Sequence, residues 1–126
     1  MKAEKEKVWD IRVRSFQYAL RAIKLYQALQ GQKDGAGWIL GKQYLRSATS
    51  IGAHIEEAQS GESRADFIHK YGIAQKEARE SLYWLRLLAE SRVVRRDRLI
   101  SIMEETEELI AIITAIIVRA KHSVVK

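Results

Sequence analysis

Neither cysteine nor proline occurs anywhere in the 126 residues. The first absence excludes disulfide frameworks, thiol nucleophiles and thiolate metal sites, and it fits a reducing compartment. The second leaves the chain with sparse punctuation. Glycine is scarce too, seven in all, and three of the seven fall in "GQKDGAG", Gly31–Gly37, which reads as a loop. Long apolar runs are also missing. The nearest to one is "LIAIITAIIV", Leu109–Val118, ten residues between Glu108 and Arg119, about half of the ~20 a membrane span requires. The N-terminal "MKAEKEKVWDIRVRSF" is charged where a signal peptide needs an apolar core, so the expectation is a cytoplasmic protein with no membrane contact.

What the chain does have is 47% hydrophobic residues, enough to bury one core, and a length suited to a single domain over residues 1–126. Its 22 Lys and Arg outnumber 16 Asp and Glu, giving +6. A bias of that size permits nucleic acid or an acidic partner without demanding either.

Apolar spacing predicts four helices. Ile11, Ala19, Ile23, Tyr26 and Leu29 recur at helical steps among Arg12, Arg14, Arg21 and Lys24, which marks a helix from about Glu4 to Gln30. A second helix follows the glycine loop to about Gln59. In "SGES", Gly61 supplies a stop and Ser63 a cap with Asp66 as its reciprocal partner, starting a third helix that runs to about Glu90. Asp97 caps the fourth, whose acidic residues lead and whose Arg119 and Lys121 trail, as the helix dipole favours. Short loops make successive helices antiparallel, so the fold class is all-α, an up-down-up-down four-helix bundle.

The second helix is unusual. In "SATSIGAHIEEAQS", Ser47–Ser60, the stripe Gly41, Leu45, Ala48, Gly52, Ile55 is spaced 4, 3, 4, 3 like a bundle seam, and Gly52 there suggests a close helix crossing. Arg46, Ser50, Ala53 and Glu57 form a second, polar stripe that meets other protein rather than water. On the fourth helix, Leu109, Ile110, Ile113, Ile116 and Ile117 fill one core, leaving Ile112 and Val118 for another surface to cover. Self-association accounts for both excesses.

Signals for chemistry are few. The di-iron pattern of helical bundles needs Glu-x-x-His pairs, whereas this chain has His54 before Glu57 and no His after Glu77 or Glu80. No catalytic triad spacing, phosphate loop or HExxH occurs. Glu57, Glu77 and Glu80 are expected to pair with Arg46, Lys76 or Arg79. The expectation is a non-enzymatic protein with no metal and no cofactor, and with His54 as a hydrogen-bonded interface residue. Candidate phosphate contacts are Arg12, Arg14, Arg21 and Lys24 on the first helix and Arg92, Arg95, Arg96 and Arg98 at the third-to-fourth junction.

The stretch "LRSATSIGAHIEEAQSGESRADFIHKYGIAQKEARESLYWLRLL", Leu45–Leu88, resembles the signature of the bacterial four-helix-bundle proteins known as 23S ribosomal RNA intervening-sequence proteins. The matching positions are Arg46, Ser47, Thr49–Ala53, Ile55–Ala58, Asp66–Ile68, Ile73, Ala74, Lys76–Ala78, Glu80 and Tyr83–Leu85. His54 stands where the family commonly has Asn, and Ala48 where it has Gly. The resemblance implies an antiparallel bundle assembled into a homopentameric ring. The related accessory variability proteins of diversity-generating retroelements bind a reverse transcriptase and nucleic acid through a basic surface. Two roles therefore stand as expectations: an oligomeric scaffold with weak, sequence-independent RNA or DNA binding, or an adaptor for a partner such as a reverse transcriptase.

Overall fold

The computed structural model describes residues 2–31 and 35–124, and the side-chain environments of residues 11–31 and 35–122. Four helices account for almost all of it: α1 (Lys2–Gln30), α2 (Gly35–Gln59), α3 (Arg64–Glu90) and α4 (Arg96–Val124). The links between them are too short to carry the chain back along a helix, so neighbours run antiparallel. Each helix packs on the next, α4 returns to α1 along a thinner seam, and the diagonal pairs α1/α3 and α2/α4 do not approach. That is the expected up-down-up-down bundle.

The helix ends differ from expectation in instructive ways. Gly35 to Gly37 belong to α2, not to the preceding loop. At Gly41 glycine is used for closeness, since a Cβ there would sit 3.0 Å from Leu29 Cδ1. Ser63 caps α3 by accepting the Asp66 amide at 3.1 Å. Gly61 closes α2 through its amide to Ala58 O, but no glycine among the described residues has positive φ. Its missing side chain makes room instead for Asp66, whose Oδ2 would lie 2.7 Å from a Cβ there. Asp97 lies in the first turn of α4 rather than at its cap, with Lys121 in the last turn, so the charge order still suits the dipole.

Arg92 occupies the left-handed position that ends α3, with φ 62°. Its amide bonds to Ala89 O while the Val94 amide reaches Leu88 O, a C-cap at which glycine is the usual residue. Val94 is buried beneath this turn.

The core draws on all four helices: Ile11, Tyr18, Ala22 and Leu29 of α1; Tyr44, Ala48, Ile51 and Ile55 of α2; Ala74, Ala78, Leu85 and Leu88 of α3; and Leu99, Leu109 and Ile113 of α4. Ile23, expected inside, is 39% exposed. The true inner stripe of α1 runs Ile11, Ser15, Tyr18, Ala22, and its two hydroxyl residues disguise it in the sequence. Ile112, expected to need a second surface, packs half-buried against the core, whereas Val118 is 48% exposed.

Three hydroxyls cross the core in one direction. Tyr44 donates to Tyr18 at 3.0 Å, Tyr18 donates to Thr106 Oγ1 at 2.5 Å, and Thr106 donates to Ile102 O at 2.7 Å. Burial pushes the Tyr18 hydroxyl up to about 12 and holds that of Tyr44 well above the ordinary phenol value. Both remain neutral donors. A second small layer joins Ser81 Oγ to Ser47 Oγ at 2.9 Å, and no buried side-chain N or O among the described residues lacks a partner.

Candidate functional site

The outer side of α1 carries Val13, Phe16, Leu20 and Ile23, spaced 3, 4, 3 and exposed by 53%, 63%, 43% and 39%. This is a coiled-coil step on a face turned away from the core. α1 is therefore apolar on two sides, and one of them is uncovered. Removing the four from water is worth about 1 kcal/mol each at their observed exposure, or about 4 kcal/mol together. The spacing is visible in the sequence, but it is hidden while Ile23 is assigned to the core.

The arginines of α1 are engaged within the molecule. Arg12 makes a two-pronged contact with Glu56 of α2, at 3.3 and 3.0 Å. Arg14 grips Glu105 of α4 at 3.1 and 2.7 Å and reaches Glu108 at 3.1 Å, and Arg21 donates to Ser101 at 3.0 Å. These side chains tie α1 to its two neighbours; Lys24 lies exposed. Around the α3–α4 turn Arg92, Arg95, Arg96 and Arg98 are all exposed. Arg95 meets Asp97 at 2.8 Å and Arg96 meets Glu90 at 3.6 Å, both exposed pairs of small energetic weight. Arg92, Arg95 and Arg96 border a cleft of about 510 Å³ with Val94 in its wall.

The quoted helix resolves into two uses. Gly52 marks the α1–α2 crossing, where a Cβ would lie 3.4 Å from Ser15 O. On the other side, Arg46 pairs with Glu77 at 3.6 Å and with Glu80, while Glu57 pairs with Lys70 at 3.3 Å. Lys76 and Arg79, expected to share those carboxylates, form no ion pair among the described residues. Ser50 donates to Arg46 O, and His54 donates from Nδ1 to Ser50 O at 2.8 Å. The charged ends of this stripe pair with α3, Ser50 and His54 bond along α2, and Ala53 stays exposed.

A cleft of about 590 Å³ between α1 and α4 is lined by Arg21, Ser101, Glu104, Glu105, Glu107 and Glu108. Two of its four carboxylates are already committed to Arg14. Among the described residues no three His, Asp or Glu gather as metal ligands, and no helix is long and apolar enough to cross a membrane.

The architecture and its ion-paired seams define a four-helix-bundle protein. Its family follows from comparison: the model for the 23S rRNA-intervening sequence protein matches residues 4–115, so the chain belongs to that family. It is 40% identical to a protein with unknown function from the S23 ribosomal protein family of Bacteroides thetaiotaomicron VPI-5482, whose crystal structure superposes with a TM-score of 0.82. The match covers 88% of this chain and 97% of that one. No curated protein matches the chain.

Proposed function

We propose that the protein is a non-enzymatic scaffold that self-associates through the outer stripe of α1 and touches nucleic-acid phosphates, without reading bases, through its exposed cations. The observation that carries the proposal is the uncovered Val13–Phe16–Leu20–Ile23 stripe. The family resemblance suggests a ring of five in the cytoplasm. Copies joined in this way add their charges, and the exposed arginines at the α3–α4 turn then act together on a polyanion.

Sedimentation equilibrium tests the assembly. The wild type should run at a multiple of 14.5 kDa, and Phe16→Glu with Leu20→Glu should run as a folded monomer. A wild type that is monomeric at micromolar concentration refutes self-association and leaves the stripe to a helix of another protein, the adaptor reading. Binding to RNA and DNA should weaken steeply between about 50 and about 200 mM salt and weaken further with Arg95→Glu and Arg96→Glu. Absence of binding at the lower salt refutes the nucleic-acid part.

A further inference from the structure

On the outer side of α3, Lys76, Arg79, Tyr83 and Arg86 follow one another at 3, 4, 3 spacing, and all four are exposed. That step places them along one stripe, rising about 15 Å over ten residues at 1.5 Å each. None of the three cations takes part in an ion pair among the described residues. The acid that follows on the same face, Glu90, is engaged by Arg96 at 3.6 Å. On the neighbouring α4, Glu105 and Glu108 turn away to Arg14.

The aromatic member is braced. Tyr83 is 52% exposed, and its ring stands edge-on to Trp84 with centroids 5.2 Å apart and planes at 69°. Trp84 is in turn fixed by donating from Nε1 to Glu80 Oε2 at 3.2 Å, and Glu80 pairs with Arg46 of α2. An exposed tyrosine held this way offers a ring face to a partner at little entropic cost. Core packing does not require it there.

We propose that this face of α3 is a track for single-stranded nucleic acid, on which Tyr83 stacks a base while Lys76, Arg79 and Arg86 contact phosphates. The proposal rests on the nucleic-acid reading above and specifies the strand form and the residues. Unpaired strands present base faces to aromatic rings, and duplexes keep theirs stacked inside, so a straight helix could use its cations on a duplex but not Tyr83. α1 and α3 are diagonal in the bundle, so the track and the α1 stripe lie on different helices that do not touch among the described residues.

Fluorescence anisotropy of the full chain with a labelled short oligouridylate, and with a duplex of matched length, tests this. Tyr83→Ala should weaken single-strand binding roughly 5- to 150-fold, the worth of one stacked base, with Tyr83→Phe near wild type and duplex binding unchanged. Replacing Lys76, Arg79 and Arg86 by Ala should lower the slope of log K against log salt by about 2, at about 0.7 per phosphate. Single-strand binding indifferent to Tyr83→Ala, or a duplex equally sensitive to it, overturns the track while the broader phosphate-binding reading stands. No binding of either probe at low salt overturns both.

Discussion

The one-way relay Tyr44 to Tyr18 to Thr106 to Ile102 makes a prediction about non-additivity. Tyr44→Phe removes the first donor and strands nothing, since Tyr18 keeps Thr106 as acceptor. The cost is one net hydrogen bond, about 1 kcal/mol. Tyr18→Phe removes the acceptor that Tyr44 uses and leaves a hydroxyl with 0% exposure unpartnered. A lost bond plus the desolvation of a stranded donor comes to about 3 kcal/mol. Changing both tyrosines to Phe leaves no hydroxyl in need, because Thr106 retains Ile102 O. The double variant should therefore cost about 2 kcal/mol, less than Tyr18→Phe alone and about 2 below the additive sum. Urea unfolding at equal protomer concentration, with unchanged slope, measures all three. Additivity within about 0.5 kcal/mol would refute the directional relay.

Two further outcomes follow from the same core and from the α3 terminus. A folded-state pKa of about 12 for Tyr18, against an unfolded value of about 10, contributes about 3 kcal/mol that is present below pH 10 and lost as pH rises toward 12. Wild-type stability should thus fall more steeply than that of Tyr18→Phe across this range, and parallel curves would contradict the assignment. Arg92→Gly should stabilise by about 0.5 to 1 kcal/mol, because glycine adopts φ 62° without the Cβ penalty; thermal melts showing destabilisation would mean the arginine side chain contributes to the fold.

Helix number, order and approximate ends were legible because a chain without proline states its breaks in few places, and Gly31 and Ser63 occupy two of them. The Gly52 crossing was legible from spacing alone. What misled was residue type on α1 and α2. Ser15, Ser47 and Tyr18 look polar yet lie inside, since their hydroxyls find partners across or along helices, whereas Ile23 looks like core and faces out. On the polar side of α2, read from sequence as an interface, the short hydroxyls bond to the preceding turn. Among the candidate cations, Arg12 and Arg14 turned out to reach carboxylates 44 and 91 residues away. No pattern within one helix encodes such pairings. Lys76 and Arg79 went unrecognised for the converse reason: acids beside them in sequence lie on another side of the helix.

The seam between α1 and α4 joins the first and last of the four helices, and among the described residues it is the most thinly packed of the four seams. Its contacts from Arg14 to Glu105 and from Tyr18 to Thr106 close loops of about ninety residues. On a ribosome, α1 waits with α2 as its only packed neighbour until α4 emerges, its inner stripe only partly shielded and its outer stripe bare. Under the proposed self-association, nascent copies on neighbouring ribosomes display the α1 stripe before the bundle closes. Under the same proposal, the order of synthesis favours assembly between chains of one transcript over mixing with chains made elsewhere.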